Sequence, residues 1–250
     1  MPPGRRGDAG VRATRRRRAV DAARVVLGYW RLLYTGKGAM DGWLAHAYDR
    51  GVQAAFRGTF RSLASEVLHE LADAERILDV GCGPGQFTVL AAEELPGAQV
   101  WGVDLAPTMI ELAQAHAAAS PAVARLHFEV ANVARLPFPD GNFDAVLSTG
   151  SIKHWPDAVA GLAEVHRVLR RGGRAYVAEM NRVAPASAIE TQRVRLRSWF
   201  FRLIYPRVFA KGLTADEARG LFARSPFGAV PDARMLLDGC FWLLTASKHR

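Results

Sequence analysis

Short apolar runs alternate with helical segments between residues 76 and 180. Positions with strand character cover 76–80, 99–104, 126–130, 143–148 and 174–179. Between several of these runs, apolar residues recur with helical spacing, over 87–95, 107–119 and 157–169. Strands that alternate with helices form parallel βαβ units. The pattern therefore predicts a central parallel sheet with helices on both faces.

Different patterns flank this alternating region. Before it, an amphipathic helix is predicted from apolar residues at helical spacing, namely Phe56, Phe60, Leu63, Val67, Leu68 and Leu71. After it, a helix with an acidic first turn is predicted over 214–222. Two closing strands, at about 230–237 and 240–246, meet at Asp238-Gly239, which indicates a tight hairpin. The predicted fold is a doubly wound, mostly parallel seven-stranded sheet with an antiparallel final strand.

Length and composition favour one main domain. The chain has 250 residues, half of them hydrophobic, which suits a single core with a cap. Residues 1–18 are predicted to form a disordered basic tail, and 19–74 to form N-terminal helices. The main domain is predicted to span 75–250, with an insertion at about 181–212 before the last hairpin.

The net charge of +9 is unevenly distributed. Residues 1–31 contain nine arginines and two acidic residues, and 182–211 contain seven basic residues and one acidic residue. The rest of the chain is net negative, so the basicity belongs to two segments. Only four of the 33 basic residues are lysine. This skew is typical of GC-rich coding, so the charge is weak evidence for a nucleic-acid partner.

The sequence favours a cytoplasmic location. No stretch of 18 residues lacks a charge, so no transmembrane helix is predicted. The apolar segment after the N-terminal arginines is interrupted by Asp21, Arg24 and Arg31, and no cleavage site follows, which argues against export. Two cysteines, Cys82 and Cys240, form neither a disulfide framework nor a metal-binding pair.

A glycine loop follows the first strand of the alternating region. Glycines at 81, 83 and 85 let a ligand approach the backbone, and the next helix offers unpaired N–H groups. The loop has Gln86 where a dinucleotide fingerprint has its third glycine, which argues against NAD. Asp104, at the end of the second strand, is suited to accept hydrogen bonds from ribose hydroxyls. Asp79 suits a cationic ligand, an ammonium or a sulfonium.

These residues resemble the class I S-adenosylmethionine-dependent methyltransferases, and especially the small-molecule group that includes the ubiquinone/menaquinone C-methyltransferases. The resemblance covers about residues 75–180. It rests on four motifs, ILDVGCGPG at 77–85, WGVD at 101–104, LPFPDGNFD at 136–144 and EVHRVLRRGG at 164–173.

The resemblance implies S-adenosylmethionine as the cofactor and assigns a part of it to each motif. Asp79 and the loop residues Gly81, Cys82, Gly83 and Gly85 would hold its methionine part. Its ribose and adenine would be bound by Asp104, Leu105, Asn132 and Val133, with Ser148 at the end of the fourth strand. The family pattern has aspartate where this chain has Asn132, whose side-chain carbonyl can still accept the adenine amine. In enzymes of this group the N-terminal helices cover the active site. An aromatic residue among Tyr29, Trp30, Tyr34, Trp43 and Tyr48 would then contact the sulfonium, and ordinary packing is the alternative for each of them.

The segment after the fourth strand contains the candidate catalytic residue, His154. An imidazole titrates near neutral pH and can take a proton from an acceptor hydroxyl. The alternatives are a histidine packed beside Trp155 or one that caps the next helix. Lys153 is interpreted as a solvated charge or a contact for an anion. For Cys82, the small side chain in a crowded turn is a simpler explanation than a reactive thiol.

The predicted function is methyl transfer to a small organic acceptor, aromatic or lipid-like. The insertion is best interpreted as a cap over the acceptor, then as a peripheral membrane contact, and last as an RNA-binding face. No metal is predicted, because a sulfonium is already a good leaving group. Two alternatives remain open. One is an RNA or protein methyltransferase, although the Asn/Asp-Pro-Pro-Tyr motif is absent. The other is a non-methylating cofactor-binding protein or a cyclase on the same fold.

Overall fold

The computed structural model describes residues 40–196, 199–228 and 232–249. The predicted tail at 1–18 and the apolar segment at 20–34 lie outside the described residues. The helices are α1 (Trp43–Val67), α2 (Gln86–Glu94), α3 (Pro107–Ala118), α4 (Ala158–Val168), α5 (Ala186–Arg195), α6 (Trp199–Phe209) and α7 (Ala215–Ala223). The strands are β1 (Arg76–Val80), β2 (Gln99–Asp104), β3 (Leu126–Val130), β4 (Phe143–Thr149), β5 (Leu169–Met180), β6 (Asp232–Leu236) and β7 (Phe241–Ser247).

The seven strands form one sheet in the order β3-β2-β1-β4-β5-β7-β6. Strands β1 to β5 pair in parallel, and β7 lies antiparallel between β5 and β6. The predicted fold class is therefore confirmed. The strand order reverses between β1 and β4, and in open α/β sheets ligands bind at the carboxyl ends of the strands beside such a reversal.

The two faces of the sheet build two separate apolar cores. Successive strand residues point to opposite faces, so Ile77 joins a cluster with α1 and α2, while Leu78 joins a cluster with α4 and α7. Trp242 is fully buried on the second face, and its indole N–H donates to the carbonyl of Leu213 at 2.8 Å. Helices on both faces thus fix the strand ends that carry the site.

Helix α1 and strand β5 differ most from the predicted boundaries. Helix α1 continues through Gly58 and is longer than the predicted amphipathic segment. Strand β5 begins at Leu169, directly after α4, because Phe143 pairs with Leu169 while Ala145 pairs with Arg174. The Gly172-Gly173 pair therefore lies inside an irregular strand rather than before it.

The closing hairpin also departs from the predicted tight turn. A 3₁₀ turn over Leu237–Gly239 joins β6 to β7. Leu237 and Asp238 both have positive φ, 50° and 58°, a conformation that non-glycine residues rarely adopt. The turn begins one residue before the Asp-Gly pair, so β6 ends at Leu236 rather than Leu237.

The predicted insertion forms the two helices α5 and α6, and its two ends meet. Asn181 forms a β-bridge with Leu213, and its side-chain amide donates to the carbonyl of Gly239 at 3.0 Å. Tyr205 and Phe209 of α6 are each 1% exposed and pack into the core under the first face of the sheet. The insertion is thus anchored at its base and along α6. No helix among the described residues is both long and apolar enough to span a membrane.

Candidate active site

A cavity of about 310 Å³ opens at the carboxyl ends of β1, β2 and β4. One end is lined by the glycine loop and by the residues that follow β2 and β3, which include Asp104, Leu105, Asn132 and Val133. The other end is lined by the segment after β4, by β5 and β7, and by the insertion, which contribute Lys153, His154, Met180, Tyr205, Val208, Lys211 and Phe241. The strand reversal therefore brings most of the predicted site residues to one cavity.

The glycine loop directly follows β1, and its glycines differ in the space around them. Gly81 has φ of 71°, and a Cβ on it would lie 1.8 Å from the Ser151 hydroxyl oxygen. Gly83 has φ of 54°, yet a Cβ on it would meet nothing within 4 Å. Gly81 is therefore required by a close approach to the segment after β4, whereas Gly83 borders open space in the cavity wall. Gly85 is the N-cap residue that precedes α2, and it is not among the residues that line the cavity.

Asp104 joins the end of β2 to the glycine loop. Its Oδ2 accepts from the backbone N–H of Gly83 and its Oδ1 from that of Ala106, each at 2.9 Å. Burial raises the pKa of Asp104, and these backbone hydrogen bonds oppose the rise. A carboxylate offers about four acceptor positions. Backbone N–H groups use part of this capacity, and the rest is open to a ligand with adjacent hydroxyls.

Asp79 also lines the cavity and is 1% exposed. The hydroxyl of Thr88 donates to its Oδ2 at 2.6 Å. Burial raises the pKa of Asp79 to about 7, the Thr88 hydrogen bond opposes this rise, and the charge of Asp104 adds to it. The described hydrogen bond to Asp79 comes from a neutral hydroxyl. A bound cation would therefore stabilise the charged form of this buried carboxylate.

The two apolar residues predicted to contact the adenine differ in their exposure to solvent. Leu105 is 40% exposed, whereas Val133 is 8% exposed. The side-chain carbonyl of Asn132 accepts from the backbone N–H of Ala134 at 2.9 Å, which fixes the amide in a turn. One acceptor position of that carbonyl is therefore in use. The contact between Asn132 and an adenine amine stays a prediction.

Ser148 and Cys82 are both buried, in different settings. Ser148 is 2% exposed and is not among the residues that line the cavity. The three residues that follow it, Thr149, Gly150 and Ser151, do line the cavity. Cys82 lines the cavity, but burial, with the charges of Asp79 and Asp104, raises its thiol pKa well above the usual value. A thiolate is disfavoured there, which supports the interpretation of Cys82 as a small packing residue.

His154 ends a 3₁₀ turn after β4 and lines the cavity on the side of the insertion. Its neighbour Trp155 is buried, with the indole N–H donating to the Ser151 hydroxyl at 2.9 Å. The helix that follows is capped by Asp157, which accepts from the backbone N–H of Ala160. The placement is compatible with a base that faces the acceptor, and the cap of α4 does not depend on His154.

Of the two interpretations of Lys153, the solvated charge is wrong, and the contact for an anion stays a prediction. Its side chain is 10% exposed, and its ammonium lies 2.7 Å from Oε1 of Glu179, a residue that is fully buried. It also donates to the carbonyl of Gly150 at 2.9 Å. Sequence reasoning missed Glu179 because it lies 26 residues from Lys153 and reads as part of the apolar fifth strand.

A second missed group connects α1 to the glycine loop. Nδ1 of His116 lies 2.7 Å from the carbonyl oxygen of Pro84, and its Nε2 lies 3.5 Å from Oδ2 of Asp49. Gln86 donates to Oδ1 of Asp49 at 3.4 Å. These three residues are far apart in the sequence, and none belongs to a recognisable pattern.

The predicted aromatic lid is only partly tested. Tyr48 of α1 lines the cavity, and burial, with the charges of Asp104 and Glu179, raises its pKa to about 12. Trp43 is 54% exposed and outside the described lining. Tyr29, Trp30 and Tyr34 lie outside the described residues. Within 40–196, 199–228 and 232–249, no group of three His, Cys, Asp or Glu residues could hold a metal ion.

Comparison with known sequences finds similarity to methyltransferases. Residues 77–173 match the family model described as a methyltransferase domain. The chain is 36% identical over 154 residues to a demethylmenaquinone methyltransferase of Deinococcus radiodurans, covering 62% of this chain and 60% of that protein. It is 34% identical over 166 residues to the ubiquinone/menaquinone biosynthesis C-methyltransferase UbiE of Geotalea uraniireducens, covering 66% and 64%. The matched region thus spans less than two thirds of these relatives.

Comparison with solved structures identifies the fold. A candidate S-adenosylmethionine-dependent methyltransferase of Methanococcus maripaludis superposes with a TM-score of 0.70 at 18% identity, covering 86% of this chain and 96% of that one. The [4+2]-cyclase SpnF superposes with a TM-score of 0.51 at 22% identity, covering 77% and 82%. The sequence matches confirm the resemblance to methyltransferases of the ubiquinone/menaquinone group, and the solved structures confirm the fold.

Proposed function

We propose that this protein transfers the methyl group of S-adenosylmethionine to a small, apolar organic acceptor. The observation that supports this most directly is the shared cavity. Asp104 and the glycine loop line one end of it, and the apolar side chains of the insertion and β7 line the other. A cofactor and an acceptor bound in one cavity react without a second diffusional encounter.

The cofactor end offers partners for each part of S-adenosylmethionine. The acceptor capacity that remains on Asp104 suits the ribose hydroxyls. Asp79, buried and without a cation among its described contacts, suits the methionine ammonium. Gly83 leaves room for close approach of the ligand to the loop backbone. When bound, S-adenosylmethionine supplies a methyl group on a sulfonium, an activated carbon.

The acceptor end favours a molecule with an apolar body and one polar group. Met180, Val208 and Phe241 give this end its apolar surface. Its polar atoms belong to Lys153, His154, Tyr205 and Lys211. Two of the sequence relatives are named for demethylmenaquinone and for ubiquinone/menaquinone. A quinone-type or related hydroxy-aromatic ring is the acceptor class we propose. His154 is proposed to take the proton that the acceptor loses.

The test is the transfer of a labelled methyl group. The protein and methyl-labelled S-adenosylmethionine are incubated separately with a lipid extract, with total RNA and with a protein extract, in a reducing buffer that matches the proposed cytoplasmic location. We expect label in apolar small molecules only. Label in RNA or protein would favour the macromolecular alternative. Cofactor binding without labelled product in any fraction would favour a cyclase or a non-methylating protein.

A matched pair of variants shows that the label arises at this site. Asp104→Asn should abolish most of the labelling. Asp73→Asn makes the same change on an exposed residue outside the described lining and should leave labelling unchanged.

A further inference from the structure

Lys153 and Glu179 form a buried ion pair at the acceptor end of the cavity. Lys153 follows β4, and Glu179 is near the end of the neighbouring strand β5, so the parallel pairing of the two strands brings them together. Lys153 lines the cavity, and Glu179 lies behind it, outside the described lining. Neither residue is among those that we assign to the cofactor.

The contacts of the pair hold the ammonium in one place. Oε1 of Glu179 accepts both from Lys153 and from the backbone N–H of Met180, each at 2.7 Å. Oε2 is buried and has no hydrogen-bond partner among the described atoms. Burying two charges is costly, and a pair with an unsatisfied oxygen adds little to stability. The arrangement is therefore better explained by what the ammonium does in the cavity than by its contribution to folding.

The ammonium retains a donor for a ligand. Lysine has three N–H donors, and the described contacts use two of them, toward Glu179 and toward the carbonyl of Gly150. The side chain is 10% exposed, and the residue lines the cavity. A third N–H on a charged group suits an acceptor oxygen, and an anionic oxygen most of all.

We propose that Lys153 binds an ionised or carbonyl oxygen of the acceptor, and that Glu179 acts as a positioning residue that holds this ammonium at the cavity wall. The acceptor class is a hydroxy-aromatic or hydroxyquinone ring, whose oxygen becomes anionic when its hydroxyl proton leaves. This inference rests on the proposed function and adds to it the group that recognises the acceptor.

The proposal gives Lys153 and His154 separate tasks in the reaction. The acceptor's hydroxyl proton leaves to His154, and the oxygen that keeps the electron pair is stabilised by Lys153. The nucleophilic oxygen or ring carbon then forms a bond to the methyl carbon as the S–CH₃ bond breaks, with the electron pair of that bond left on sulfur. If a ring carbon is methylated, its proton is lost to solvent or base and the aromatic ring is restored.

The experiment compares two ligands that differ by one hydroxyl. Binding of 2-hydroxy-1,4-naphthoquinone, which is acidic and ionises to an anion, and of neutral 1,4-naphthoquinone is measured with S-adenosylhomocysteine present. We expect Lys153→Met to weaken the hydroxyquinone by about 10–100-fold, the range expected for one charge-assisted hydrogen bond. The neutral quinone should change by less than about 3-fold. Lys153→Arg, which keeps the charge, should retain most of the preference for the hydroxyquinone.

A double variant separates recognition from folding. Lys153→Met alone leaves Glu179 buried without its cation, which destabilises a protein. Lys153→Met/Glu179→Gln removes both charges, so it should recover thermal stability while its preference for the hydroxyquinone stays lost. An equal loss for both quinones, no loss for either, or no preference in the wild type would overturn the proposal. Failure of the wild type to bind S-adenosylhomocysteine would instead contradict the proposed function, because the quinone comparison can also be made without it.

Discussion

At the scale of single residues, the glycines of the loop differ in what surrounds them, and this difference is testable. Gly81→Ala places a methyl group 1.8 Å from the Ser151 hydroxyl oxygen at a positive φ. We expect a loss of roughly 2–4 kcal/mol in the free energy of unfolding, from strain and overpacking together. Gly83→Ala has open space, so about 1 kcal/mol of backbone strain is expected, with a larger loss of cofactor affinity. Urea unfolding and calorimetry check the pair, and equal stabilities would show that the close approach at Gly81 is wrong.

Asp79 predicts a pH dependence of stability with a definite sign. Its pKa is raised from the model-peptide value of 3.8 to about 7 in the folded protein, mainly by burial. Between these values the folded protein binds a proton that the unfolded chain does not bind. The contribution of Asp79 to stability is therefore fully present below about pH 4 and is lost as the pH rises through about 7.

Asp79→Asn removes this titration and serves as the reference. Urea unfolding of the wild type and the variant at pH 5 and pH 8 isolates the contribution of the carboxyl group. We expect the wild type to lose stability relative to the variant between the two pH values. A wild type that gains stability relative to the variant would contradict the assigned direction.

His154 gives a prediction about the reaction itself. If the acceptor is a hydroxyl that must lose its proton, general-base help is worth about 10²–10⁴-fold. His154→Ala should then lower kcat by that order and leave the affinity for S-adenosylhomocysteine unchanged. The wild-type rate should fall at acid pH as the imidazole becomes charged. A variant with near-normal kcat and an unchanged pH profile would show that orientation alone suffices.

At the scale of elements, the insertion exposes apolar residues among cations. Val194 and Leu203 are 53% and 60% exposed, and Arg195 and Arg207 are exposed nearby in the sequence. This composition supports a peripheral contact with an anionic membrane, which would bring an apolar acceptor close to the cavity. Leu203→Asp should reduce co-sedimentation with phosphatidylserine-containing vesicles several-fold. Val123→Asp alters an exposed valine in the turn before β3 and should have no effect. Equal co-sedimentation of the two variants with the vesicles would exclude this role for α6.

The elements also show what local pattern can and cannot predict. The strands β1 to β4 follow from apolar runs that end in a loop, because each run is bounded by residues that favour turns. The start of β5 was missed because four residues, with two glycines among them, bulge out of the β4–β5 pairing. The turn at Leu237 and Asp238 was misplaced because its positive φ values fall on residue types that do not indicate them.

At the scale of the whole molecule, the strand order explains why the site could be only half predicted. The cofactor end consists of motifs that are contiguous in sequence, at 77–85 and 101–104, so a resemblance could identify it. The acceptor end unites β4, β5, β7 and α6, and its contacts join residues that local pattern does not connect. Lys153 with Glu179, and His116 with Asp49, are pairs that only the folded chain brings together.

The central claim is that this cavity binds S-adenosylmethionine through Asp104, and calorimetry with S-adenosylhomocysteine tests it most directly. The wild type should bind, and Asp104→Asn should lose about 2–3 kcal/mol of affinity, because a charge-assisted contact with the ribose is replaced by a neutral one. Asp73→Asn should bind as the wild type does, and NAD should give no signal with any of the three proteins. Equal affinity of wild type and Asp104→Asn for S-adenosylhomocysteine, or binding of NAD, would contradict the account.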